Sequence, residues 1–239
     1  MYGMYGYGYG LDPTIILVLI GVALSLWAQG RVNSTFSRYS RVRSMTGMTG
    51  AEAARRLLNA QGIYDVTVQQ IAGELTDHYD PRTKTVNLSQ SVYGATSVAA
   101  IGVAAHECGH AMQDNEGYAP LRFRSALVPV ANFGSSLSWP LILLGLVFGG
   151  LGSPLVEIGI LMFSLAVLFQ LVTLPVEYNA SARAVRLLDA QGILAGEEVN
   201  GTRKVLNAAA LTYVAAAATS ILQLLRLIIL FGGRNRRDR

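Results

Sequence analysis

Residues 125–175 read SALVPVANFGSSLSWPLILLGLVFGGLGSPLVEIGILMFSLAVLFQLVTLP, and the one charged side chain in that whole stretch is Glu157. A helix needs about 20 predominantly apolar residues to cross the hydrocarbon core of a bilayer. Gly149-Gly150-Leu151-Gly152-Ser153-Pro154 divides the run into two halves, each long enough to do so. The pattern is that of a transmembrane hairpin with a short turn. Gly145 and Gly149 form a GxxxG pair, which lets two helices approach closely and needs no function to explain it.

The rest of the chain agrees with a membrane setting. Only 14% of the 239 residues are charged and 51% are hydrophobic, against roughly a quarter charged in an ordinary soluble domain. The single cysteine, Cys108, excludes an intramolecular disulfide framework. A net charge of +4 could suggest nucleic acid. The arginines lie beside apolar segments instead, where membrane topology accounts for them and no nucleic-acid partner is expected.

Upstream, residues 1–12 begin with the Tyr/Gly repeat MYGMYGYGYG, a composition too biased to bury a core and expected to be flexible. Residues 13–30 carry no charge and contain TIILVLIGVALSLWA. Without a basic segment before it or a small-x-small cleavage site after it, this reads as an uncleaved anchor. Arg31, Arg38, Arg41 and Arg43 follow at once, which by the positive-inside rule puts the next region in the cytoplasm and the N-terminus outside. Arg122 and Arg124 before the hairpin, and Arg183 and Arg186 after it, place both hairpin ends on that same side.

The expected cytoplasmic catalytic region is 31–124. Thr49 with Glu52 makes a capping box for a helix that closes at Gly62. VTVQQIAGELTDHYDPRTKTVNLS then alternates and breaks at Asp80-Pro81-Arg82-Thr83, the mark of short strands around a turn. Ala95 to Asp114 reads as an Ala/Gly-rich helix capped at Thr96 or Ser97. After the hairpin (125–176), residues 177–207 read as further cytoplasmic helices. Residues 208–233 are a fourth span on length, although Arg226 and the basic tail 234–239 conflict with the charge rule. The fold class is therefore a mainly α integral-membrane protein with three or four transmembrane helices.

Inside the Ala/Gly-rich helix stands His106-Glu107-Cys108-Gly109-His110. Imidazoles at i and i+4 lie one turn apart on one helix face and can reach a single tetrahedral Zn²⁺. Glu107 beside them can take a proton from a water whose pKa the metal lowers toward about 7, and later protonate the departing amine. The bland alternative is a pair of helix histidines satisfied by hydrogen bonds.

A catalytic zinc takes three protein ligands, so one is missing from the motif. Glu177 is the better candidate, because the hairpin's even number of crossings returns it to the face that holds the motif. Glu157 falls on the far side, Glu116 is six residues beyond His110, and His78 sits beside a turn, where a structural or substrate-contact role suits it better. A carboxylate placed at a helix N-terminus for the sake of the dipole is the competing account of Glu177. Cys108, on the opposite side of the helix, reads as a small packing residue.

AAHECGHAMQ, LTDHYDPR, TLPVEYNASARA and NAAALTYVAAA together resemble the YugP-type neutral zinc metallopeptidases of bacterial membranes, over nearly the whole chain from Asp12-Pro13 onward. More distantly, the HExxH, hairpin and E-Y-x-A order is similar to the HtpX heat-shock protease and the CAAX prenyl proteases, which are gluzincins. The resemblance implies a small α+β gluzincin-like peptidase domain on the cytoplasmic side, one Zn²⁺ per chain, His106, His110 and Glu177 as ligands, and Glu107 as catalytic acid/base. The chain departs from the HtpX pattern at Ser181, where an aspartate would brace a zinc histidine through its second ring nitrogen. TKTVNLS resembles the edge strand that pairs with extended substrate in these enzymes. Tyr178, Arg183 and Tyr213 are the candidates for stabilising the oxyanion.

The function these readings support is a multi-pass cell-membrane endopeptidase with a peptide or membrane-protein substrate, serving membrane-protein quality control or processing. A catalytically silent membrane scaffold that keeps the fold is the competing reading, and turnover separates the two.

Overall fold

The computed structural model describes residues 12–150 and 153–232. The expectations for the Tyr/Gly repeat and for the basic tail 234–239 fall outside the described residues. Four long helices dominate: α1 (Ile15–Tyr39), α5 (Ala119–Gly149), α6 (Pro154–Ala190) and α7 (Glu197–Phe231). Each holds a window of mean hydropathy between 1.5 and 2.3, of which no more than 28% is buried inside the protein. Val147 and Phe148 are 75% and 80% exposed. Side chains this apolar, turned outward along whole helices, need lipid rather than water as their solvent. At 1.5 Å per residue each helix exceeds the roughly 30 Å hydrocarbon thickness. All four are long and apolar enough to cross a membrane, so the expectation of three or four spans resolves to four candidates.

The fourth of these, α7, runs antiparallel to α1 along its whole length. Near one end Gly201 packs against the Tyr39 ring, and toward the other Gly21 packs against Thr219, whose hydroxyl donates to the Gly21 carbonyl at 3.1 Å. A Cβ on Gly21 would fall 2.8 Å from the Thr219 methyl, so glycine is what permits this approach. Arg226, which conflicted with a span on the charge rule, reaches the start of α1: its Nε donates to Thr14 Oγ1 at 3.2 Å and its Nη2 lies 3.4 Å from Asp12 Oδ2. The cation thus sits at the end of the span, with a carboxylate beside it, instead of in the hydrocarbon.

In the second pair, α5 and α6, a Cβ on Gly145 would meet Val156 at 2.8 Å, and one on Gly159 would meet the Ser138 carbonyl at 2.8 Å. Glycines on both helices therefore set the hairpin's spacing. The break expected before Glu177 does not occur: α6 continues unbroken from Pro154 through Pro175 to Ala190. Glu177 accordingly lies well inside a helix, and the account of it as a carboxylate at a helix N-terminus is corrected.

The polar part comprises α2 (Gly50–Ala60), β1 (Thr67–Ile71), β2 (His78–Asp80), β3 (Thr85–Ser89), α3 (Gln90–Tyr93) and α4 (Val98–Asn115). The capping box forms as its spacing predicts, with the Thr49 hydroxyl accepting from Glu52 N and the Glu52 carboxylate accepting from Thr49 N. Asp80 closes the β2–β3 turn by accepting from Arg82 N and the Thr83 hydroxyl. The sheet order is β1-β3-β2, with β3 parallel to β1 and antiparallel to β2. This corrects the reading of TKTVNLS as an edge: β3 is central and its backbone is bonded on both sides. Its burial throughout explains why, since a strand wholly inside cannot offer an edge. The accessible edge nearest the motif belongs to β2.

Leu57 and Leu58 of α2, Val86 and Leu88 of β3, Ile101 and Cys108 of α4, and Leu188 of α6 form one buried core, each large side chain contributing about 1.5–3 kcal/mol. Cys108 faces α2, with its thiol 3.6 Å from the Ala54 carbonyl, and burial pushes its pKa well above the usual thiol range. It is an inert packing group.

If α7 crosses the membrane beside α1, both its far end and the start of α1 lie on one side. In a Cys108→Ala background, Pro13→Cys and Gly232→Cys should be labelled by an impermeant thiol reagent from the same side, and Arg41→Cys from the other. Labelling of positions 232 and 41 from a common side would mean that α7 turns back.

Candidate active site

The site is assembled where α4 crosses α6. Ser97 caps α4, accepting from Ala100 N at 3.2 Å, and the helix is buried along nearly its full length by alanine and glycine faces. Within the motif, a Cβ on Gly109 would fall 2.6 Å from the Ala180 carbonyl and 3.0 Å from Ala180 Cα. With only hydrogen at that position the two backbones touch, and the residues flanking Ala180 on α6 are carried up to the histidines. Glu177 and Ser181, four apart and so on one helix face, both point at them.

His106 Nε2 and Glu177 Oε2 are 3.2 Å apart, His110 Nε2 and Glu177 Oε2 3.4 Å, and the two Nε2 atoms 3.2 Å. Three ligands about 2.0–2.1 Å from a tetrahedral zinc stand roughly 3.3 Å from one another. The three atoms therefore already occupy ligand spacing.

The outer nitrogens decide what the inner ones present. Gln113 is fully buried; its amide nitrogen donates to the Val176 carbonyl and to Asn179 Oδ1, both at 2.9 Å. Its oxygen, 3.0 Å from His110 Nδ1, can only accept, so Nδ1 carries a proton and Nε2 is the nitrogen left to bind a metal. His106 Nδ1 contacts the Ser181 hydroxyl at 3.1 Å. Two imidazole nitrogens and a carboxylate oxygen converging within 3.4 Å of one another are an arrangement that a cation satisfies. Ser181 stands where the brace was expected, as a hydroxyl instead of a carboxylate. Gln113 was missed, and its position three residues after His110, on the same helix face, was the available signal.

A cavity of about 260 Å³ opens onto this cluster, and Glu107, Arg124 and Tyr213 also line it. Glu107 is buried, and among the described residues no hydrogen bond holds its carboxylate. Tyr213, predicted as an oxyanion candidate, is brought to the site by α7. Tyr178 is not: it is exposed and turns to a cleft on another face of α6. Arg183 is not either, being held by Glu116 and Asn179.

Arg124, recognised in the sequence only as a topology marker, lies 3.5 Å from Glu177 Oε1, the oxygen turned away from the histidines. Its buried Nε has no partner among the described residues. Nothing in the local sequence distinguishes it from Arg122.

β2 and the residue before it form the cavity's other wall through Asp77, His78 and Tyr79. His78 is not a ligand: Nδ1 donates to the Thr76 carbonyl at 2.9 Å and Nε2 accepts from Asn87 Nδ2 at 3.2 Å. Asp77 accepts from Ser89 N at 2.8 Å and from the Ser89 hydroxyl; burial nonetheless holds its pKa above the usual carboxylate range. The Tyr79 hydroxyl donates to Asp114 at 2.8 Å and Lys84 pairs with the same oxygen, tying β2 to the end of the motif helix. Burial first, and then that hydrogen bond, push the Tyr79 pKa well up.

The family model described as "Putative neutral zinc metallopeptidase" matches residues 14–232. The "Putative membrane protease YugP" of Bacillus subtilis (strain 168) is 49% identical over 217 residues, covering 91% of this chain and 96% of the relative. No solved structure matches the chain.

Removing one brace should loosen the metal without emptying the site. Ser181→Ala and Gln113→Ala are each expected to weaken zinc binding about 10–100-fold, read by competition against a chelating dye, while Ser181→Asp retains tight binding. Wild-type affinity in both alanine variants would mean that the outer contacts do not orient the rings.

Proposed function

The chain belongs to the neutral zinc metallopeptidase family, and on that premise we propose that it is a membrane-embedded endopeptidase that hydrolyses peptide bonds with zinc held by His106, His110 and Glu177. The convergence of three ligand atoms at tetrahedral spacing, 3.2–3.4 Å apart, carries the reading. Zinc bound there supplies Lewis acidity, which lowers the pKa of a water toward about 7 and polarises a carbonyl.

The chain's own residues supply the rest. Glu107 takes the proton of the attacking water as the new C–O bond forms, and returns it to the amine nitrogen as the C–N bond breaks. Its carboxylate, buried in the cavity wall and without a hydrogen bond among the described residues, is placed for that exchange. Arg124 and Tyr213 face the same cavity and serve as donors to the oxyanion, in a space where burial strengthens each interaction. Arg124 also holds the outer oxygen of Glu177, leaving Oε2 as the single ligand atom. The free edge of β2 accepts the substrate backbone as an added strand, a role transferred from β3 because β3 has no free edge.

The gluzincin-like domain sits on the cytoplasmic face of the cell membrane in this reading. Arg31, Arg38, Arg41 and Arg43 after α1, and the hairpin's flanking arginines, support that orientation. Substrates that reach such a site are membrane proteins or chains brought to the membrane surface, which suits quality control or processing.

Glu107→Gln should retain its zinc and lose peptidase activity by about 10²–10⁴-fold, while Glu177→Ala should lose zinc as well as activity; both are read by metal analysis and casein cleavage on purified protein. Cleavage at the wild-type rate by Glu107→Gln would sink the mechanism. Arg124→Gln should lower kcat by about 10²-fold or more with KM changed little, if it contacts the oxyanion; an effect confined to KM would assign it to substrate binding.

A further inference from the structure

A second cavity, of about 640 Å³, lies between α1 and α7 on another side of α6 from the metal ligands. Arg31, Ser34, Thr35 and Arg38 of α1 line one wall, and Lys204 and Asn207 of α7 the other. Spacings of three, four and seven put the α1 residues on one helix face. Tyr178, the neighbour of Glu177 in sequence, turns away from the metal ligands into this cleft.

The cleft gathers three cations and no acid. All three are exposed side chains, so the cleft is open to a ligand from outside. Among the described residues no salt bridge uses Arg31, Arg38 or Lys204. Arg38 has only the neighbouring Tyr39 ring, 5.8 Å from its guanidinium carbon. Three like charges facing a common space repel one another unless an anion enters it.

The depth of the cleft says which anion. Arg31 is the first charged residue after the uncharged run 13–30, so it marks the edge of the hydrocarbon. Arg38 stands about 10 Å farther along the axis at 1.5 Å per residue, which spans the headgroup layer. On antiparallel α7, Lys204 lies toward the aqueous end and Leu211, which also lines the cleft, toward the bilayer. A ligand here would set a phosphate among cations and hydroxyls and have an apolar exit toward the hydrocarbon. We propose that this cleft binds the headgroup of an anionic phospholipid, its phosphodiester between Arg31, Arg38 and Lys204 and its acyl chains descending past Leu211.

The test uses the full-length protein in mild detergent, given an equimolar mixture of phosphatidylglycerol and phosphatidylcholine and examined by native mass spectrometry. Wild-type protein should carry phosphatidylglycerol adducts well in excess of phosphatidylcholine, and excess inorganic phosphate should not displace them. Arg31→Gln, Arg38→Gln and Lys204→Gln should each reduce the adduct about fivefold. The triple change Arg41→Gln, Arg43→Gln, Arg82→Gln, which removes the same charge outside the cleft, should leave it intact.

Equal adducts of the two lipids on the wild-type protein would overturn the proposal, and that comparison needs no variant to fold. Loss of the adduct in the outside-cleft control would reduce the effect to general surface attraction. Displacement by inorganic phosphate would identify a free-phosphate site instead.

Discussion

The contact between the backbones of α4 and α6 at Gly109 and Ala180 is the constraint on which the site depends. A helix motif alone supplies two imidazoles on one face. A third ligand must come from another element, and it must arrive within ligand spacing of both. Glycine between the two histidines removes the one side chain that would hold α6 away. Glu177 and Ser181, on either side of the contact, then meet the inner nitrogens and His106 Nδ1 respectively. The glycine is thus a requirement of the metal centre as much as of packing.

Around that contact, burial of charge is compensated at each step. Glu177 is almost completely buried, yet it faces two imidazoles on one oxygen and Arg124 on the other. Gln113 bonds with every polar atom it owns and fixes one ring while doing so. At the far end of the bundle the same economy places Arg226 against Asp12. The exposed cations of the cleft between α1 and α7, Arg31, Arg38 and Lys204, line it without a carboxylate among them.

The polar elements serve mainly to build the wall opposite the ligands. The turn at Asp80 carries Tyr79 onto Asp114, which sets β2 against the end of the motif helix and leaves its outer edge beside the cavity. A central, wholly buried β3 supports this wall. The resemblance that made β3 the edge was right about the presence of a strand before the motif helix and wrong about its place in the sheet.

Much of this was legible in the sequence because it is local. Hydropathy over some twenty residues marks a helix that needs lipid; Thr49 and Glu52 cap a helix three residues apart; His106 and His110 share a face whatever surrounds them. Glu177 could be brought to the right side by counting crossings. Sheet order, the unbroken path of α6 through Pro175, the roles of Gln113 and Arg124, and the partner that admits Arg226 to α7 depend on which elements meet. Those are contacts between different elements, among them Gln113 with Val176 and Arg226 with Asp12, and local periodicity carries no record of them. Hydropathy and spacing are enough to mark the span candidates, the motif and the ligand types. Which side chains converge follows from the fold, because convergence within ligand spacing is set by how closely two backbones pack.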